Sequence, residues 1–456
     1  MKIAVCVKII SGELNPFDEC ALEYALRLSD DVTVVSMCPA SAEKALKPLT
    51  RLGAKVVLIS DLAYAGSDTL ATGYILSEYL KKTPYDLIIC GRQSTDGDTA
   101  QVGPCLSALL DISLLTNVLS FDVKNGEVNA ETRFGHESVK LPALITVERN
   151  CVLRFPSIFS RESEITKLTN NDLCCDVSLC GLDGSPTRVI KTFENERGKR
   201  NCRFISKEEL LPLIEELKKR KSMPDSEKEE NGIYDKTEKL KSVWAIGREA
   251  AKSAAKVAEE VVVIEESDPR IIADMIKERK PDTVLWNADL MGRRNAPVTA
   301  ALLRTGLCAD CTFLEACGEE LYMYRPARAG NITAKIKCVT RPQMATVRPE
   351  GAGGGIIVSG GRGVADSFDK IRKFAEDIGA EVGASRAAVD ASAAPYEEQI
   401  GLTGKAVSPD IYIAVGISGA VQHTCAIENS GIVIAVNPDK EAKIFDYADY
   451  GVLSEF

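Results

Sequence analysis

The strongest constraint on the fold lies in the last hundred residues, where short apolar runs repeatedly give way to small or polar turns. Ile356-Ile357-Val358 runs into Ser359-Gly360-Gly361-Arg362-Gly363, and Val382-Gly383-Ala384 runs into Ser385-Arg386. Gln399-Ile400-Gly401-Leu402-Thr403-Gly404-Lys405 follows, and then Ile411 to Val415 leads into Gly416-Ile417-Ser418-Gly419-Ala420-Val421-Gln422-His423. Ile432 to Val436 closes the series at Asn437. Strand first and turn second is the pattern of a parallel sheet that holds a ligand above the carboxyl ends of its strands. Glycine and serine at such turns let backbone N–H groups approach a pyrophosphate, helped by the positive ends of the following helices. One such turn is explained by tight chain reversal alone. A series of them, two with an arginine, points to a dinucleotide.

The remaining chain narrows the class. Its 456 residues predict about three domains. Charged residues make up 27% and hydrophobic ones 45%, the balance of a soluble globular protein. A net charge of −10 argues against a nucleic-acid surface. The opening Met1 to Ile10 is followed at once by Ser11-Gly12-Glu13 and reads as a first strand rather than a signal peptide. No apolar run approaches the length of a membrane span. Cysteines number 15 and lie scattered in apolar segments, which predicts reduced thiols and a cytoplasmic setting. Cys308-Ala309-Asp310-Cys311 has a redox or zinc spacing, but only His136 and His423 exist as histidine partners. Buried structural thiols and no metal site are expected there.

From the start, strands at Lys2–Ile9, Asp31–Met37, Val56–Ser60 and 85–91 alternate with helices at Cys20–Leu28 and from Ser41. That rhythm predicts an α/β fold with a mainly parallel sheet covered on both faces. The strand at 85–91 empties into a polar turn, Arg92 to Pro104, before a helix at Cys105–Leu110. The turn is long for simple capping, and it supplies acceptors for a ribose and free N–H groups for phosphates. Residues 190–220 read as an arm ending in an amphipathic helix that Ser206 caps, and Ser222–Lys241 is polar and charged, as in an exposed linker. Beyond it the rhythm resumes with a helix at Ala250–Glu260, a strand at Val261–Glu265, a helix at Arg270–Glu278 and a strand at Thr283–Asn287. Glu350–Gly355 is a glycine-rich joint to the last domain.

Ser359 to Gly363, Val382 to Ala391, Thr403-Gly404-Lys405, Tyr412 to His423 and Ala448 to Gly451 together resemble the FAD domain of the alpha subunit of electron-transfer flavoprotein. The first half is similar to the beta subunit through Val5 to Lys8, Asn15-Pro16-Phe17, Ala65 to Thr72, the Asp96 to Pro104 turn and Gly184 to Val189. The resemblance implies two ancestral subunits joined in one chain. The fold class is then α/β in three domains with mainly parallel sheets: a Rossmann-like nucleotide-binding first half with its arm (1–221), a linker (222–241), an alpha-like scaffold (242–349) and a C-terminal FAD-binding domain (350–456). Site residues follow position by position. Arg386 would lie over the isoalloxazine, His423 near its O2 edge, and Thr403 would offer a hydroxyl to N5. A guanidinium at roughly 4 Å in an effective dielectric of about 20 contributes on the order of 4 kcal/mol before desolvation. Gln399, Ile400, Gly401, Leu402 and Thr403, with Ser418, Gly419, Ala420, Val421, Gln422 and His423, would hold the ribityl chain and pyrophosphate. Arg362, Gly363 and Ser385 flank them, and Asn437 meets the adenosine.

In the first half the family holds AMP or a second FAD. Cys6, Asn15, Asp18, Met37, Asp68 and Thr69 would line that nucleotide, as would Asp96, Gly97, Asp98, Thr99, Ala100, Gln101, Val102 and Gly103. Arg325 and Arg328 are placed at its opening. The Asp96 to Pro104 and Ala65 to Thr72 wording is similar to the two-FAD, electron-bifurcating branch. That branch implies a hydride from NADH, one electron to ferredoxin or flavodoxin, and the other through the C-terminal FAD to a dehydrogenase such as an acyl-CoA dehydrogenase. The alternative is a plain carrier with one FAD and one structural AMP.

Overall fold

The computed structural model describes residues 1–194, 200–220, 238–327, 332–348, 355–401, 404, 405, 407, 409–427 and 430–456. Ile3–Cys6 is apolar and buried at every position, as a strand covered on both faces must be. Val32–Met37 and Leu87–Gly91 flank it in parallel, with Ile3 level with Val32 and Leu87. Lys55–Ile59, Ala143–Val147 and Thr166–Leu168 extend the sheet, also in parallel. Ser113–Lys124 pairs in parallel with Ala143–Val147, then leads an antiparallel meander through Glu127–Thr132 and Gly135–Lys140. Apolar cores form on both faces, one around Leu22, Val34 and Ile89, the other around Ile59, Ile75 and Leu106.

The same strand order recurs later in the chain. Ala258–Ile264, Leu240–Ile246, Thr283–Asn287, Gln343–Val347 and Leu307–Cys311 lie side by side, all parallel. They correspond in order to Val32–Met37, Ile3–Cys6, Leu87–Gly91, Ala143–Val147 and Ser113–Lys124. Each copy carries a bulge at the same place, with Asn117 and Asp310 at positive φ (58° and 64°). In each, the bulge N–H donates to a threonine hydroxyl of the neighbouring strand, Thr146 at 3.2 Å and Thr346 at 2.8 Å.

These two sheets belong to one compact unit, residues 1–192, 238–328 and 334–347, and the second unit comprises 193–237, 329–333 and 348–456. The divisions differ from the segments 1–221 and 242–349. The arm separates from the first half because Arg203–Ile205 pairs in parallel with Tyr450–Val452. Helix Lys207–Arg220 buries Leu210, Ile214 and Leu217 in one core with Val358, Ile371 and Ile413. Most of the expected linker, residues 222–237, lies outside the described residues, and its end is already strand, since Leu240–Ile246 begins there. The helix placed at Ala250–Glu260 runs instead from Arg248 to Val257. It yields at Ala258 to the strand Ala258–Ile264, whose valine run favours extended backbone.

The second unit is the parallel sheet read from the sequence. Arg203–Ile205, Tyr450–Val452, Ile432–Val436, Ile411–Val415, Ile356–Gly360, Glu381–Ser385 and Gln399–Ile400 are neighbours in that order. The chain leaves Ile356–Gly360 in one direction for Glu381–Ser385 and in the other for Ile411–Val415. A crevice at the carboxyl ends of strands is expected at that switch point. Among the described residues no helix is long and apolar enough to cross a membrane, and every cysteine is unpaired.

Candidate functional site

Two places gather the residues expected to bind nucleotides. The first is the carboxyl edge of the Ile356–Gly360 sheet. The turns after its two central strands lock together there: Gly361 N–H donates to Val415 O (2.7 Å) and Gly363 N–H to Gly416 O (3.2 Å). A Cβ on Gly361 would stand 2.1 Å from Gly416 O, so only glycine permits this approach. Arg362, exposed, opens the short helix that follows. Ser385 caps the next one by accepting from Ala388 N–H. Arg386, about a third exposed, begins that helix and pairs with Asp390 at 3.2 Å.

The turn after Ile411–Val415 leaves donors open. Among the described residues the backbone N–H groups of Ser418, Gly419 and Ala420 have no acceptor. Three adjacent free donors at a parallel strand's carboxyl end form a cradle for an anion, so these residues fit a pyrophosphate. The side chains of Asn437 and His423 have protein partners. Buried Asn437 donates to Ile417 O (2.9 Å) and accepts from Asp439 N–H (2.9 Å), so its side chain shapes the turn. His423 is 6% exposed, and both ring nitrogens have protein partners, Tyr412 Oη at 2.8 Å and Ile400 O at 3.1 Å. Burial pushes its pKa down to about 4, so the ring is neutral at pH 7. Gln399 and Ile400 are buried on the edge strand beside Ser385, Gly401 follows at φ 148°, and Gln422 is exposed next to Val421 at the start of the Val421–Thr424 helix. Leu402 and Thr403 lie outside the described residues.

The second place is a cavity of about 450 Å³ in the other unit. Cys6, Asn15, Asp18, Met37, Asp68 and Thr69 line it, together with Gly97 and Thr99 to Gly103. Asp96 and Asp98 do not. The Asp96 carboxylate pairs with Lys8 Nζ at 2.7 Å, and Asp98, at φ 51°, turns its carboxylate to Gln93 Nε2 (3.1 Å). An aspartate-rich turn advertises acceptors; neighbouring cations and amides claim them first.

Lys8, Thr187 and, from the repeated scaffold, Leu307 to Ala309 also form the wall and were not singled out by the sequence; Arg92 and Gln93 join it from the polar turn. The two halves are stitched there, since Thr69 Oγ1 donates to Gln101 Oε1 (2.6 Å) and Gln101 Nε2 donates to Leu307 O (3.1 Å). Arg325 lines the cavity, 5% exposed, donating through Nη2 to Asp98 O (3.1 Å) while its Nε has no partner. Arg328 lies outside the described residues. Asn15 is 1% exposed and donates to Gln93 O, but its Oδ1 is unsatisfied. Buried polar atoms without partners are rare, and here an orphaned donor and an orphaned acceptor share a cavity wall. That fits a ligand with both an anionic group and a hydrogen-bonding ring. Asp18 accepts from Lys8 N–H (2.7 Å), yet burial raises its pKa to about 7. Gly91 makes room for it, because a Cβ there would meet Asp18 Oδ1 at 2.2 Å. The free thiols of Cys308 and Cys311 are both buried, and Cys308 lines the cavity.

The electron transfer flavoprotein domain model matches residues 5–173 and again 241–352, the two copies of the repeated sheet. The electron transfer flavoprotein FAD-binding domain model matches residues 353–428. Electron transfer flavoprotein subunit alpha of Thermoanaerobacterium thermosaccharolyticum is 39% identical over 235 residues, covering 41% of this chain and 71% of that protein. Subunit beta of the same organism is 39% identical over 224 residues, covering 45% of this chain and 86% of that protein. The acryloyl-CoA reductase electron transfer subunit beta of Anaerotignum propionicum is 32% identical over 261 residues, 41% of this chain and 71% of its own. Beta-type and alpha-type parts thus share one polypeptide, and the chain belongs to the electron transfer flavoprotein family.

Proposed function

We propose that this chain carries electrons between a donor and a dehydrogenase through FAD held at the carboxyl edge of the Ile356–Gly360 sheet. The reading rests above all on the unsatisfied N–H groups of Ser418, Gly419 and Ala420 at the switch point of a domain matched by an FAD-binding model. Bound FAD supplies the one- and two-electron chemistry. The chain's residues do the rest: the Ser418–Ala420 cradle holds the pyrophosphate, Arg362 and Arg386 add positive charge at the rim, and Thr403 serves the ring. Arg386 acts through an ion pair with Asp390, which tempers its charge.

The 450 Å³ cavity takes a second nucleotide, with Arg325 toward its phosphates and Asn15 Oδ1 toward a ring donor. We read that nucleotide as a second FAD and the protein as bifurcating, with NADH as hydride donor and ferredoxin or flavodoxin as low-potential acceptor. A dehydrogenase partner has a surface to dock on. Val152, Phe155, Ile158 and Phe159 are 80 to 94% exposed within eight residues. Their segment is held by bonds from Arg51 to Ser157 O and from Ser163 N–H to Thr50. Such a cluster of exposed apolar side chains marks an interaction site.

Denaturing the purified protein and quantifying released FAD and AMP per chain tests this. Two FAD and no AMP support bifurcation, and reduction by NADH should follow. One FAD and one AMP would leave the plain carrier. No FAD, even after incubation with excess, would end the flavin reading.

A further inference from the structure

Tyr412 lies in the central strand Ile411–Val415 and is fully buried. Its hydroxyl is 2.8 Å from His423 Nε2, and His423 Nδ1 is 3.1 Å from the Ile400 carbonyl. A carbonyl oxygen only accepts, so Nδ1 carries the proton. A neutral imidazole has one such proton, which leaves Nε2 as an acceptor and makes the Tyr412 hydroxyl the donor. Burial lowers the histidine pKa and holds the phenol protonated, which keeps this assignment at neutral pH. One imidazole therefore ties together the central strand, the Val421–Thr424 helix and the edge strand Gln399–Ile400. The helix and the edge strand carry residues of the proposed flavin crevice, the central strand leads into its Ser418–Ala420 cradle, and Ile400 immediately precedes Gly401, whose φ of 148° is open only to glycine.

We propose that Tyr412 is a positioning residue of the flavin site: its hydroxyl holds His423 in the Nδ1–H tautomer, and through the Ile400 carbonyl fixes the Gln399–Gly401 segment on which FAD rests. His423 then serves as a neutral bracket with both ring nitrogens occupied. The inference rests on the flavin reading of this crevice. A phenylalanine would fill the same space, so the hydroxyl alone is at issue. Without it Nε2 is a buried acceptor lacking a donor, and the ring is free to move its proton to Nε2 and release Ile400.

The chain has two histidines, and the other, His136, has a side chain 90% exposed. In the full chain with His136→Gln, uniformly 15N-labelled, long-range proton–nitrogen correlation at pH 7 reads the His423 tautomer directly. We expect Nδ1–H with Tyr412 present and a shift toward Nε2–H in Tyr412→Phe. FAD affinity should fall roughly tenfold in Tyr412→Phe, the loss of one net hydrogen bond, with cooperative unfolding retained. An Nε2–H ring in the chain with Tyr412 would overturn the proposal. So would an unchanged tautomer or an unchanged FAD affinity in Tyr412→Phe. If the chain with Tyr412 intact took up no FAD, the functional reading would fall and the positioning role with it, while the tautomer would still report whether the hydrogen bond exists.

Discussion

At the scale of single residues, charge and burial decide what each group offers a ligand. Arg325 is buried in the cavity wall with an unpartnered Nε, and such a cation is costly to keep without an anion. Arg325→Met should weaken nucleotide binding in that cavity by about tenfold to a hundredfold, the worth of a charge-assisted hydrogen bond. Nucleotide retained per chain after gel filtration measures it, and full retention would remove Arg325 from the site. His423 makes a separate, pH-dependent claim. Its folded pKa of about 4 lies below the ordinary histidine value of about 6.5, so between those values the unfolded chain binds the proton first. Stability is therefore complete above about pH 6.5 and falls as pH drops toward 4, by on the order of 3 kcal/mol. Denaturant titrations at pH 7 and 4.5 should show a smaller pH effect in His423→Gln; an equal effect would mean the ring titrates normally. Residue type was legible in the sequence, but aim was not. Asp96, Asp98 and Asn437 have the right chemistry and are held by Lys8, Gln93 and Ile417.

At the scale of elements, Asp68 joins two that are distant in sequence. One carboxylate oxygen caps helix Thr69–Lys82 by accepting from Leu70 and Ala71 N–H, both at 3.0 Å. The other accepts from Thr187 N–H (3.0 Å) and Oγ1 (2.6 Å) where strand Thr187–Glu194 begins. Asp68→Ala should cost about 3 kcal/mol, a cap plus bonds to a charged acceptor, and Asp68→Asn less, because the amide keeps one acceptor. Urea midpoints decide it; equal loss in both would mean that charge rather than capping matters. Wholly apolar strands such as Ile411–Val415 were legible because burial on both faces leaves no polar position. The meander was not. Gly135–Lys140 alternates partly buried with exposed residues and includes Gly, Glu and Ser, so its sequence reads as a loop.

At the scale of the whole molecule, a carrier must be recognised by its partners. Phe155→Ser with Phe159→Ser should lower electron transfer to a partner dehydrogenase by about tenfold or more while leaving FAD content unchanged, because exposed aromatic anchors carry binding rather than fold. Loss of FAD together with transfer would show that the segment is structural. The repeat of one strand order in 3–147 and 240–347 was not read from the sequence, because the corresponding strands share a pattern and few identities. The arm has a consequence in time. Arg200 and Asp449 form an ion pair although 249 positions apart, and Arg203–Ile205 completes its pairing only with Tyr450–Val452. During synthesis the arm emerges long before the strand it needs, so nascent chains carry an unpaired edge until Tyr450–Val452 has been made. A chaperone that shields strand edges would therefore act on this protein within that interval, and ribosomes stalled there would be where its aggregation starts.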